Sequence, residues 1–249
     1  MTLPKYHWTR DKLDARDYIF KPAVAPTVAT ADLRTMCSPV ESQGNIGSCT
    51  GNAVAALIEF LHRKNRKNIE ISRLFIYYQA RVYEGTTNYD SGAYIRDAIK
   101  AVSKVGAPTE ALWPYNTRKV SYRPSQLAYN NAATRKVSTY HRCADFTAVK
   151  SALIQGYPVV VGFDVYESFE YDIVTDTGMM PYPNTRRERL LGGHAVVLVG
   201  YNDTTQCFIA RNSWGTGWGD RGYFYMPYQV IQNKTMSDDF WFITSITNP

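Results

Sequence analysis

A chain of 249 residues, 45% hydrophobic and 20% charged, is neither disordered nor fibrous, and it is long enough for one large domain or two small lobes around a shared cleft. The net charge of +6 is scattered and accompanies no nucleic-acid motif, so a solvated basic surface is expected and no nucleic-acid partner. Four cysteines, Cys37, Cys49, Cys143 and Cys207, stand too far apart for zinc-type spacing, so neither a metal site nor a cofactor is expected. No apolar run is long enough to cross a membrane, and charges interrupt the opening stretch MTLPKYHWTRDKLDARDY. Neither a membrane partner nor a secretory leader is therefore expected, and the reading is of a cytoplasmic monomer. With Cys49 set aside as a candidate nucleophile, the remaining cysteines allow at most one disulfide, which suits a reducing compartment.

The first thirty or so residues form a polar leader dotted with Tyr6, Trp8, Tyr18 and Phe20. After it, CTGNAVAALIEFLHRKN places Ala53, Val54, Leu57, Ile58 and Leu61 at helical spacing and predicts a largely buried helix with Cys49 at its N-terminal end. SRLFIYYQARVYEG predicts a second helix, capped by Ser72 and ended by Gly85, and IRDAIKAVSKVG a third that stops at Gly106. The second half changes character. KVSTYHR, YPVVVGFDVY, AVVLVGY, CFIAR, GYFYM and FWFITSI are short runs rich in β-branched and aromatic residues, with one helix, TAVKSALIQG, among them. RRER at 186–189 follows PYPN and reads as an exposed loop. Helices first and strands after predict an α+β fold, a helical lobe beside an antiparallel sheet or barrel.

Three short stretches carry chemistry. In ESQGNIGSCTGNA, Cys49 sits where a helix N-terminus supplies free N–H groups and partial positive charge, conditions that favour a thiolate. The glycine and serine before it leave room for a substrate backbone. In LGGHAVVLVGY, His194 lies between a glycine pair and an apolar strand. The other histidines have weaker contexts: His7 in the leader, His62 at a helix end and His141 in TYHRC read as solvated or locally bonded side chains. In ARNSWGTGWGDRGYFYM, a strand delivers Asn212, with Trp214 following on a glycine-rich loop; Asn212 can hold one ring nitrogen of His194 while the other faces a thiol.

The ordered set QGNIGSC, GGHAVVLVGY and RNSWGTGWGDRGYF resembles the papain-like cysteine peptidase family, and the resemblance covers nearly all the chain after about residue 30. ADLR at 31–34 resembles the start of the mature enzyme, SGAYIRDAIKAVSKVGA its substrate-binding turn and following helix, and LWPY a later landmark. The resemblance implies a papain-like fold, with a helical lobe at about 36–135, an antiparallel β-barrel-like lobe at about 136–249, and the active site between them. It implies a cysteine endopeptidase acting on peptide or protein substrates through an acyl-enzyme. Cys49 would be the nucleophile, held as a thiolate beside protonated His194; Asn212 would orient His194, and Trp214 would shield that hydrogen bond. The Gln43 amide and the Cys49 N–H would form the oxyanion hole, while Ser91, Gly92 and Gly193 would meet the extended substrate.

Departures accompany the match. Thr50 stands where the family has an aromatic residue, and Ile46 where it often has a disulfide cysteine, which points to a disulfide-poor microbial or viral version. The leader, residues 1–30, is shorter than the family's usual inhibitory segment. It is either a strap that stabilises a lobe or a plug over the cleft. Other outcomes for the same site are a peptide ligase or transpeptidase, or a non-catalytic peptide-binding scaffold. Ala93, Val160 and Ala195 suggest an apolar specificity pocket. Met236, Asp238 or Asp239 is expected at its floor, where an acid would admit arginine.

Overall fold

The computed structural model describes residues 6–23 and 26–248. Two short strands come first, β1 (Ile19–Phe20) and β2 (Thr30–Asp32), followed by the helices α1 (Cys49–Lys64), α2 (Arg73–Glu84), α3 (Ile95–Lys104) and α4 (Gln126–Ala132). Then come β3 (Val137–Cys143), α5 (Phe146–Ile154), β4 (Val159–Tyr166), α6 (Asp172–Thr177), β5 (Leu190–Asn202), β6 (Cys207–Arg211), β7 (Tyr223–Pro227), α7 (Tyr228–Gln232) and β8 (Ser237–Ile246).

Helix boundaries follow local chemistry. At the start of α2, Ser72 accepts from the Phe75 N–H, and at its end Gly85 adopts φ +71°, the left-handed turn that glycine takes without strain. In α1 every residue from Cys49 to His62 except Ala56 is buried, so this helix lies inside the protein. His62 is fully buried and its pKa is pushed down to about 4 by that burial, which corrects its reading as a solvated side chain.

The strands form one sheet in the order β1-β3-β8-β4-β5-β6-β7, with β2 added to β5; β1 and β3 run parallel and the other pairs antiparallel. The pairing therefore runs as an open path rather than a closed barrel. Side chains alternate across a strand, and both central strands are apolar on both faces. Val159, Val161, Phe163 and Val165 of β4 join Val196 and Leu198 of β5 in a core with α5, while Val160, Ala195, Val197 and Val199 pack against α1. Continuous apolar runs such as YPVVVGF are what a doubly covered strand requires. The register pairs Phe163 with His194 and Gly162 with Ala195. It places the histidine strand directly beside the helix that begins at Cys49.

Candidate active site

Cys49 opens α1 and is fully buried. His194, on β5, is also fully buried, and its Nε2 lies 2.8 Å from Asn212 Oδ1. The same Oδ1 accepts the backbone N–H of Ser213 at 2.8 Å, so it is the amide oxygen. Nε2 must then carry the proton, which leaves Nδ1 with a free lone pair. Nδ1 is buried without a hydrogen-bond partner among the described residues. Trp214 stacks on the imidazole at 5.1 Å and 25°, covering it from water.

Gln43 is fixed with equal economy. Its Nε2 donates to the Ile46 carbonyl at 2.9 Å and its Oε1 accepts from the Ser213 hydroxyl at 2.6 Å, which sets the amide orientation and leaves the second N–H of Nε2 free. Main-chain bonds from Gln43 N to Ser213 O and from Gly215 N to Glu41 O hold the glutamine segment against the asparagine loop. Ser213 thus positions both side chains, a role its sequence context did not signal beyond adjacency to Asn212.

Leader residues lie in this site. The Trp8 N–H donates to the Gly193 carbonyl at 2.7 Å, and His7 and Trp8 form parallel bridges to Gly193 and Ala93. A Cβ at Gly92, which has φ +79°, would overlap the His7 carbonyl oxygen, and one at Gly47 would meet the His7 ring. A Cβ at Gly162 or Gly193 would overlap Trp8. These glycines are small because another chain segment lies on them. The expectation of a solvated His7 is therefore corrected. Tyr6 packs edge-on against His194 and Trp214. Of the predicted substrate-contacting residues, Gly92 and Gly193 meet the leader, whereas Ser91 turns its hydroxyl to Thr86 and to the Gly92 carbonyl. Trp8 shares a core with Ala93, Val160 and Ala195, and its Nε1 donates to Asp239 Oδ2 at 3.2 Å, so Asp239 is the acid at that floor. Met236 belongs to the opposite core, and Asp238 pairs with Arg142.

Beyond Trp8 the leader becomes a clamp across both halves. The Asp11 N–H donates to Asp239 Oδ2 at 2.8 Å; the Asp11 carboxylate accepts from the Arg96 N–H and from Trp241 Nε1. The Arg96 guanidinium forks onto Asp17 at 2.9 and 2.6 Å, and Arg142 lies 3.6 Å from the same carboxylate. Arg96 comes from α3 and Arg142 from β3, so one acid ties helix to sheet. With the Arg96 and Asp17 side chains 7% and 5% exposed, Asp17→Asn leaves a buried guanidinium underpaired. We expect a loss of about 3 kcal/mol, read from denaturant unfolding.

Burial also sets the charge state. The Cys49 thiol is pushed up to about 11 by desolvation, against the pull of backbone N–H groups including those of Ala195 and His7. His194 is pushed down to about 4 by desolvation, with the Asn212 bond opposing. With the leader seated, thiol and imidazole are both neutral at pH 7.

Residues 27–242 match the model of the papain family of cysteine proteases. An uncharacterised peptidase C1-like protein of Acanthamoeba polyphaga mimivirus is 42% identical over 219 residues, covering 83% of this chain and 70% of that protein. Cathepsin K of Gallus gallus is 29% identical over 84% of this chain, which spans 60% of the cathepsin's length. Among solved structures, xylellain, a cysteine protease from Xylella fastidiosa, superposes with a TM-score of 0.86 at 39% identity over 98% of each chain. Digestive procathepsin L 3 of Tenebrio molitor, at 21% identity and a TM-score of 0.72 over 98% of this chain and 76% of that one, shares the fold.

Proposed function

The chain belongs to the papain family of cysteine proteases, and on that premise we propose that it is a cysteine endopeptidase whose catalytic set is Cys49, His194, Asn212 and Gln43, held latent by its own leader. The observation that carries this reading is the tautomer. Asn212 keeps the proton on Nε2, so His194 carries a bare Nδ1, unpartnered among the described residues, on the strand that packs against the helix opened by Cys49.

The chemistry follows from those atoms. Nδ1 takes the Cys49 proton, and the thiolate, favoured by the helix N-terminus, attacks the scissile carbonyl. The developing oxyanion accepts from the Cys49 N–H and from the free N–H of Gln43. Imidazolium Nδ1–H then protonates the leaving amine, and a water activated by the same nitrogen hydrolyses the thioester. The test compares cleavage of an unfolded protein by the Trp8→Ala chain with and without Cys49→Ala. Equal cleavage by both would reject the assignment.

The His7 backbone N–H is among the groups that pull the Cys49 thiol down, and the His7 carbonyl oxygen lies against Gly92. Residues 6–8 act as the plug and residues 10–20 as the strap.

Docking of this segment is pH-dependent. Burial pushes Asp11 up to about 6 and, with the Asp11 charge adding to it, Asp239 up to about 8, against the opposing charges of Arg96 and Arg142 and beside Asp238. Both pKa values are raised by docking, so the docked leader holds protons that the undocked one releases. Its stability is complete below about pH 4 and is lost as pH rises through 6 and 8. The Trp8 indole N–H resonance should therefore lose its docked population between acid and mildly alkaline pH. A population constant across that range would remove the two acids from the latch.

A further inference from the structure

The loop that leads from Gln43 to Cys49 and the turn at Gly92 are joined through one carboxylate. The backbone N–H of Gly47 donates to both oxygens of Asp90, at 3.0 and 3.1 Å. The fully buried Tyr77 donates its hydroxyl to Asp90 Oδ1 at 2.6 Å and accepts the Gly92 N–H at 2.9 Å. Arg81, also fully buried, supports this arrangement: its guanidinium lies 4.1 Å from the Tyr77 ring centre and donates to the Tyr89 carbonyl at 2.7 Å. On its other side the loop is fixed by Gln43, whose Nε2 donates to the Ile46 carbonyl at 2.9 Å. The Ile46 carbonyl and the Gly47 N–H belong to one trans peptide unit, in which they point in opposite directions. That unit is therefore gripped from both sides, by Gln43 and by Asp90. The four cysteines are free, so no disulfide ties the loop to the turn.

Resting on the reading that Gln43 donates to the oxyanion, we infer that Asp90 is a positioning residue for acylation, setting the oxyanion donors against the substrate-binding turn from behind. Its influence reaches the reacting atoms in two ways. Asp90 orients the 46–47 peptide, that peptide gives the Gln43 amide its acceptor, and the bond decides where the second N–H of Nε2 is aimed. Through Tyr77 the same carboxylate fixes the peptide of Gly92, the residue that meets the His7 carbonyl of the leader and, in the opened cleft, the substrate backbone. An oxyanion donor stabilises the transition state only at hydrogen-bond distance from the developing charge, so the spacing between loop and turn bears directly on rate. A carboxylate suits this place because both of its oxygens accept. In Asp90→Asn one of the two atoms that share the Gly47 N–H becomes a donor facing a donor, while the outline of the side chain is unchanged.

The test uses the full-length chain opened by Trp8→Ala, with Trp8→Leu as a second background should the first fail to fold. The substrate is one quenched fluorescent peptide, taken from a casein segment that the opened chain cleaves. Turnover is expressed per Cys49 that iodoacetamide labels and is read well below each variant's melting range, which separates misplacement from loss of folded protein. Asp90→Asn should lower kcat by about ten- to a hundredfold, with the larger share of its effect on kcat rather than KM. In a chain that also carries Gln43→Ala, the same substitution should lower kcat by no more than about twofold further, because the group through which it acts is gone. Tyr77→Phe keeps the ring beside Arg81 but strands the Gly92 N–H, and should raise KM by about three- to tenfold. Asp90→Ser, which removes both carboxylate oxygens, replaces Asp90→Asn should that variant not fold. An unchanged kcat at position 90, or a loss of about tenfold or more on top of Gln43→Ala, overturns the inference. So does an unchanged KM in Tyr77→Phe. If Gln43→Ala alone leaves kcat intact, the oxyanion assignment falls instead, and the inference that rests on it falls with it.

Discussion

In the full-length chain, Trp8→Ala should raise the rate of Cys49 alkylation by iodoacetamide at pH 5 by roughly a thousandfold. A thiol with its pKa at about 11 is ionised to about one part in a million at pH 5. A papain-type cysteine paired with imidazolium falls to about 3–4 and is almost wholly ionised there. Lower basicity weakens the nucleophile; over some seven pKa units, a Brønsted slope of 0.4–0.5 returns about three of the six orders gained. The remaining three are the expected acceleration, before any gain from admitting reagent to a sulfur that is fully buried in the parent. Labelling that still follows an ordinary thiol titration near pH 8.5 in the variant would mean that the leader is not what keeps Cys49 and His194 neutral.

Gln43→Ala, measured in the same opened background, should lower kcat by about a hundred- to a thousandfold, roughly 3 kcal/mol of transition-state stabilisation, with little change in KM. The side chain is fully buried, and its loss also strands the Ile46 carbonyl and the Ser213 hydroxyl, at about 1–3 kcal/mol of stability. Kinetics must therefore be read well below the melting range of the variant. An unchanged kcat would remove Gln43 from the oxyanion site, whatever happened to the melting temperature.

Helices α2 and α3 were legible because their ends are written in local chemistry: Ser72, Gly85 and Gly106 act on their own neighbours. The start of β5 was not. Its Gly192-Gly193 pair reads as a break, yet both residues lie inside the strand, where the close approach of Tyr6 and Trp8 requires their small size. Strands β1 and β2 are two and three residues long and exist through pairing, not through any pattern of their own. The site divides the same way. Cys49, His194, Asn212 and Gln43 stand in compact motifs whose spacing carries the resemblance. The residue beneath Trp8 was narrowed to Met236, Asp238 or Asp239 but not chosen, because the contact that selects Asp239 joins positions 231 residues apart. His7 and His62 were misjudged for a related reason: polar neighbours in sequence do not reveal a glycine floor or a buried helix end.

Because β4 and β5 each present one face to the helices and the other to α5, no plane separates the two halves of the molecule without stripping apolar side chains from both cores. The cleft is a seam in a continuous solid, not a hinge between two bodies. Exposing the active site is then a matter of peeling a narrow ribbon from the outside. What holds the ribbon down is a short row of contacts made by Tyr6, Trp8, Arg10, Asp11 and Asp17 with the body.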